Sequence, residues 1–161
     1  MPARVGIGYD VHRREPGRPL MLGGVRFESP WGLAGHSDAD VVLHAIGDAL
    51  LGAAALGDLG RHFPPGDPKW KDAASLDLLR AIRVLLERGG ARVVNVDAMV
   101  IAEEPRLAPA HDAMRANIAG ALGIPATRVS VKATTHEGLG AIGRGEGIAA
   151  WAVAMIEAPD A

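Results

Sequence analysis

Residues 35–48, GHSDADVVLHAIGD, open a run that stays apolar around almost the whole circumference of a helix. A helix of that kind is wrapped by the rest of the chain rather than laid against one side of it. Ser37 and Asp38 are the N-cap candidates, and the helix is predicted to run to about Leu51 before ALGDLG breaks its regularity. A chain of 161 residues buries about two thirds of the surface its unfolded form exposes, enough for one core around this helix. Aromatic residues make up only 4% of the chain, so that core is built from small aliphatic side chains. Set into the apolar cylinder are Asp40, His44 and Asp48, spaced i, i+4, i+8 along one stripe. Buried ionisable groups are costly when unpaired, so the stripe calls for either a closed hydrogen-bond network or a metal ion.

The other segments supply what encloses that helix. Alternation in RVGIGYDVH puts Val5, Ile7, Tyr9 and Val11 on one side of a strand and Gly6, Gly8, Asp10 and His12 on the other. PLMLGGVRFE forms short extended pieces about Gly23 and Gly24. RHFPPGDPKWKD, residues 61–72, carries three prolines and is predicted to be an irregular, mobile loop. Ser75 is expected to cap a second helix with Leu79, Ile82 and Leu86 inward and Gly89 as its stop. A strand RVVNVDAMVIA follows, then a helix from near Pro109 to Gly123 with Met114, Ile118 and Leu122 on its inner stripe. Two last strands, RVSVKATT and GIAAWAVAMIEA, flank a glycine-rich segment. The order indicates one α+β domain over residues 1–161, a mixed sheet with helices on one face. Because the last strand is apolar on both sides, self-association through the sheet is expected to cover the other face.

Composition removes several function classes. A formal net charge of −2 with scattered Arg and Lys gives no basic patch, which argues against a nucleic-acid or membrane partner. With no cysteine, disulfides, thiolate metal sites and cysteine nucleophiles are excluded, and a reducing cytoplasm is the natural compartment. MPARVGIGYDV lacks the pattern of a secretory leader, and no stretch reaches the ~20 apolar residues of a membrane span, so a soluble cytoplasmic protein is expected.

Two places carry chemistry. Asp10 and His12, two apart on a strand, point to the same side and offer an oxygen and a nitrogen together. With His44 from the helix they form an Asp/His/His set with one position left open, the pattern of a catalytic zinc. Asp40 or Asp48 could orient His44 by accepting its other N–H. The second place is KATTHEGLGAIGRGEG, where Thr134, Thr135 and Glu137 end a strand beside accessible glycine backbone. It suits phosphate oxygens, with Glu137 on a hard cation, or it is a plain hairpin. Arg144 binds an anion there or pairs with Glu146.

GYDVH, LGG, GHSDADVVLHAIGDALLGAAALGDLGRHFP, IAEEPRLAP and VKATTHEGLGAIGRGEGIA occur in the order and spacing of one family. The chain resembles the 2-C-methyl-D-erythritol 2,4-cyclodiphosphate synthases over nearly its whole length. The resemblance implies a homotrimer of subunits with four-stranded sheets and active sites between neighbours. It implies zinc on Asp10, His12 and His44, and magnesium or manganese on Glu137. Asp10, Val11 and His12 would meet the substrate, as would His36 and Ser37 through its phosphate. Asp58, Leu59 and Gly60 would hold the ribose hydroxyls, and Phe63, Pro64, Pro65, Gly66 and Asp67 would form a lid over the methylerythritol. Ala102, Glu103, Glu104, Pro105, Arg106, Leu107 and Ala108, with Thr134, Thr135, His136 and Glu137, would form the cytidine pocket. Ala141 stands where phenylalanine is common, beside Arg144 at an axial channel that takes an isoprenoid diphosphate in the family. Arg106 replaces a frequent lysine, His136 and Gly138 flank Glu137 where some relatives carry threonine and lysine, and Pro65 and Gly66 make a less polar lid.

The implied reaction closes a cyclic diphosphate on the substrate's own phosphate and expels CMP, with His36 and Thr135 stabilising the developing charge. A nucleotide- or isoprenoid-phosphate-binding trimer and a zinc hydrolase are the alternatives; the products of turnover separate all three.

Overall fold

The structure, a computed structural model, describes residues Met1–Asp160. The N-terminal alternation becomes one long strand, β1 (Ala3–Pro16). A separate hairpin of β2 (Leu20–Leu22) and β3 (Val25–Phe27) turns on Gly23 and Gly24, both at positive φ. There follow β4 (Trp31–Leu33), α1 (Val41–Ala53), the short α2 (Leu59–His62), α3 (Ser75–Arg88), β5 (Arg92–Ile101), α4 (His111–Leu122), β6 (Val129–Thr134), the short α5 (Gly140–Gly143) and β7 (Gly147–Glu157). The main sheet has the order β4-β1-β7-β5-β6. It is mixed because β5 and β6 run parallel while the other pairs are antiparallel. The four expected strands are all there; β4 adds a fifth at the edge of β1, pairing Trp31 to Leu33 with Pro16 to Arg14. Three residues are too few to show a period of two.

The wrapped helix lies directly on β1. A Cβ on Gly6 would stand 1.9 Å from the carbonyl oxygen of Ala49, and one on Gly8 the same distance from that of Ala45, so only glycine lets the helix approach this closely. Helices α3 and α4 complete the layer, with Leu79, Ile82, Leu86, Met114, Ile118 and Leu122 buried as expected. On the uncovered face Val5, Ile7, Tyr9 and Val11 of β1 and Trp151 and Val153 of β7 stand between 45% and 65% exposed. Among the described residues no helix is long and apolar enough to cross a membrane.

Local starts differ from expectation in three places. The N-cap of α1 is Asp40 rather than Ser37 or Asp38, with Ala39 at φ +57 just before it. Ser75 is the first residue inside α3, whose cap position is Ala74 with no side-chain bond. Residues 61–72 are not irregular throughout: α2 ends at His62, and Pro68–Trp70 forms a 3-10 turn where the Asp67 carboxylate accepts the Lys69 N–H at 3.0 Å. Proline suits such a first turn, since its missing N–H would be unpaired there in any case.

Candidate active site

Gly6 lies beneath Ala49 and Ala53, and Gly8 beneath Ala45 and Ala49. The same face of β1 continues with Asp10 and His12, so the next steps along the strand reach the turn of α1 that bears His44. The three ligand atoms converge there. Asp10 Oδ2 is 2.8 Å from His12 Nε2 and 3.1 Å from His44 Nδ1, and the two nitrogens are 3.2 Å apart. Donors on a tetrahedral zinc at ~2.0 Å are about 3.3 Å apart, so the set fits such an ion without moving an element. Among the described residues it is the one acid/imidazole cluster with this property.

Electrostatics agree. Burial alone raises the Asp10 carboxyl, but hydrogen bonds from His12 and His44 and their attraction outweigh it and hold it well below the usual carboxylate range. Burial lowers His12, and the Asp10 carboxylate together with the Ala34 carbonyl more than reverses it, leaving the imidazole above its ordinary value. The site gathers negative charge and lone pairs and therefore favours a cation.

The stripe expected on α1 is not continuous. Asp40, fully buried, turns away as the cap: it accepts the N–H of Gly23 at 2.9 Å, of Gly24 at 2.7 Å and of Leu43 at 3.2 Å. Burial pushes its carboxyl up, and those three donors oppose it. Asp48 accepts the Leu59 N–H at 2.8 Å, and burial raises it too. Neither takes the second N–H of His44. That nitrogen, Nε2, meets Ser37 Oγ at 3.1 Å and Ser75 Oγ at 3.0 Å. Ser75 carries the cap-type signal of its residue type, and nothing in the local sequence connects it to His44.

Asp10, His12, His36, Ser37, His44, Leu59, Gly60, Phe63 and Pro65 line one cleft of about 280 Å³, together with Asp48, Trp70 and Leu78. Phe63 and Trp70 close one side of it edge to face, with ring centroids 4.8 Å apart. His36, at the lip, donates Nε2–H to the Asp67 carbonyl at 3.0 Å. Val11 turns its side chain to the opposite face, as alternation requires. Asp58 caps α2, accepting the Arg61 N–H at 3.1 Å, and Pro64, Gly66 and Asp67, in the segment expected to form a lid, lie outside the cleft wall.

The second residue set sits at the same end of the sheet, where β5 and β6 finish side by side with Ile101 opposite Thr134. Glu103 ties its two halves together, accepting the N–H groups of His136 at 3.0 Å and Gly138 at 3.2 Å. Glu137 adopts φ +53, is exposed, and has its N–H bonded to Thr135 Oγ1 at 3.1 Å. Leu107 and Ala108 line a separate cleft, and Glu103 and Glu104 another beside Arg144. Neither cleft shares a lining residue with that of the Asp/His/His set. Arg144 pairs with Glu146 at 2.7 Å, and Ala141 lies exposed on α5.

Known proteins match this arrangement along its length. The YgbB family model matches residues 3–157. A 2-C-methyl-D-erythritol 2,4-cyclodiphosphate synthase of Moorella thermoacetica is 61% identical over 95% of this chain and 94% of its own. The bifunctional IspDF of Campylobacter jejuni superposes with a TM-score of 0.94 at 42% identity, over 99% of this chain and 43% of that one. IspF of Plasmodium falciparum, in its CDP complex, gives 0.85 at 34% identity over 98% and 97%. A family match across almost every residue, on a fold that brings Asp10, His12 and His44 to one point, leaves a single conclusion: the chain belongs to the YgbB family, among the 2-C-methyl-D-erythritol 2,4-cyclodiphosphate synthases.

Proposed function

We propose that this chain converts 4-diphosphocytidyl-2-C-methyl-D-erythritol 2-phosphate to 2-C-methyl-D-erythritol 2,4-cyclodiphosphate and CMP, in the non-mevalonate route to isoprenoid precursors. An oxygen of the 2-phosphate attacks the β-phosphorus, and the bond from that phosphorus to the CMP oxygen breaks. The observation that carries this reading is the convergence of Asp10, His12 and His44 in a cleft walled by Phe63 and Trp70, in a chain 61% identical to a synthase.

Because the substrate brings its own nucleophile, no covalent intermediate is needed, and positioning with charge neutralisation supplies the rate. Asp10, His12 and His44 would hold zinc, the match to three N/O donors with one position open. When bound, such an ion supplies positive charge to phosphate oxygens. Glu137 would hold magnesium or manganese. His36, once its Nε2–H is released from the Asp67 carbonyl, and the hydroxyls of Ser37 and Thr135 would donate to oxygens that gain charge as the ring closes. Phe63 and Trp70, on the cleft wall, would shield the reacting phosphorus from water, which favours cyclisation over hydrolysis.

Cytidine would lie on Ala102–Ala108 and Thr134–Glu137 of a neighbouring subunit in a homotrimer joined through the exposed sheet face. Arg144, committed to Glu146, and Ala141, without a ring, make a poorer axial seat for an isoprenoid diphosphate than the family pattern. The absence of cysteine suits a cytoplasmic site of action. Phosphorus NMR of the protein with substrate, zinc and magnesium tests the reading. CMP and a cyclic diphosphate appearing together support it; an open-chain monophosphate or unchanged substrate overturns it.

A further inference from the structure

His44 is held through both ring nitrogens, and of the partners on the side away from Asp10, Ser75 has no part in the reading above. Ser75, 1% exposed, lies 3.0 Å from His44 Nε2 through its Oγ. Asp38 sits against Ser75: one carboxylate oxygen accepts the Ser75 backbone N–H at 2.9 Å. The other accepts the Asp40 N–H at 3.1 Å and the Ser75 hydroxyl. A carboxylate holding three donors acts only as an acceptor. The one hydroxyl proton of Ser75 is therefore committed to Asp38, and what remains for His44 is a lone pair. Nε2 of His44 then carries a proton, and a cation seated beside Asp10 and His12 would take the lone pair of Nδ1.

His12 is set by the same logic through a different bond. Its Nδ1 is 2.6 Å from the Ala34 carbonyl oxygen, which can only accept, so in the neutral ring Nε2 faces the site with a lone pair. Two imidazole lone pairs and a carboxylate oxygen within 3.2 Å of one another repel unless a positive charge lies among them.

We propose that Asp38 and Ser75 form a buried positioning pair for the metal centre, fixing His44 as the Nε2–H tautomer so that Nδ1 is the ligand. The proposal rests on the reading of Asp10, His12 and His44 as that centre. Ser75 acts through His44 and touches no substrate. The pair also leaves Ser37 Oγ, which accepts only the Ala39 N–H at 3.3 Å from the backbone, free to turn its proton to a phosphate. It further anchors the root of the lid, since the Asp38 N–H donates to the Ala73 carbonyl at 3.0 Å and the Asp72 N–H to the His36 carbonyl at 2.9 Å.

The test uses the whole chain, stripped of metal and reloaded with zinc alone against a competing chelator. Ser75→Ala is expected to bind zinc roughly 10- to 100-fold more weakly, the range typical when a ligand histidine loses its outer partner. Nitrogen NMR of histidine-labelled, metal-free protein, at a pH where imidazole is neutral, should show the Nε2–H tautomer at His44 in the wild type and a mixture in Ser75→Ala. Asp38→Asn keeps the volume, releases the Ser75 proton to donate to Nε2, and should shift His44 toward the Nδ1–H form with a matching loss of affinity. Should Ser75→Ala fail to fold, Asp38→Asn decides by the same two readings. Wild-type zinc affinity with an unchanged tautomer in the folded variants overturns the proposal. A wild-type protein that takes up no zinc, or a His44→Ala protein that holds it as tightly as wild type, overturns the metal reading instead, while the tautomer measurement still decides the role of the pair.

Discussion

Asp10 and His12 pull the stability of the metal-free protein in opposite directions with pH. The Asp10 carboxyl is held below its ordinary value, so its contribution is present above the unfolded carboxylate pKa near 3.9 and is lost as pH falls through the folded value. The His12 imidazole is held above its ordinary value of 6.5, so its contribution is present below that pH and is lost as pH rises through the folded value. Together they predict a stability maximum for the chelated protein at mildly acidic pH, roughly 4–6.5, which Asp10→Asn should flatten on both sides. Urea midpoints across that range, with chelator present, check it. Zinc reverses the preference, because metal ligation needs neutral imidazoles, so its affinity should climb with pH over the same interval. Gly8 belongs to the same site although it carries no functional group. A methyl there would sit 1.9 Å from the Ala45 carbonyl oxygen, which is backbone and cannot swing aside. Gly8→Ala should cost more than the ~1–3 kcal/mol of ordinary overpacking and, by lifting α1 from β1, draw His44 away from Asp10. Equilibrium unfolding with zinc titration on whatever remains folded would show both losses.

Asp40 joins two elements that the sequence keeps apart, the β2–β3 hairpin and the start of α1. Replacing it with Ala strands the buried N–H groups of Gly23 and Leu43, at about 1–3 kcal/mol each, and the part-buried one of Gly24, so the variant should lose about 2 kcal/mol or more. Asp40→Asn keeps one accepting oxygen and should lose distinctly less; urea unfolding of the pair measures the difference. The same residue shows what a sequence can and cannot disclose. Long elements were legible because their periods repeat many times: the alternation of β1 and β7, and the inward stripes of α3 and α4. The Asp10/His12/His44 set was legible for the same reason, being strand alternation meeting a helix face. The choice of cap was not, since Ser37, Asp38 and Asp40 are all cap-forming types within four positions. The hairpin N–H groups, 16 and 17 residues away in sequence, favoured Asp40. Ser75 is a cap-forming type that does not cap, because its hydroxyl is claimed by Asp38, 37 residues upstream, and β4 is too short to have a period at all.

At the scale of the whole molecule, an apolar strip along β1 and β7 stands exposed on the chain by itself. Ile7 pairs directly with Val153, and Tyr9 with Trp151, whose rings lie 4.7 Å apart on the uncovered face. A continuous row of aliphatic and aromatic side chains is seldom left in water, and the proposed trimer, its three copies meeting through this face, would remove it. The proposed assembly also suits the clefts, because the residues assigned to cytidine line two cavities of the chain and neither is the cavity of the Asp/His/His set. Ile7→Glu would place a charge in the middle of the strip, where a subunit interface cannot solvate it and a lone subunit can. Light scattering should then fall from three chain masses to one, while zinc uptake stays at the wild-type level, since Asp10, His12 and His44 all come from one subunit. Turnover should drop at least a hundredfold, because on the proposed trimer the metal and nucleotide residues would no longer face each other across a boundary. A monomeric variant with full turnover would show that each chain completes its own site. A variant that remains three chains in mass would show that the subunits join through some other surface.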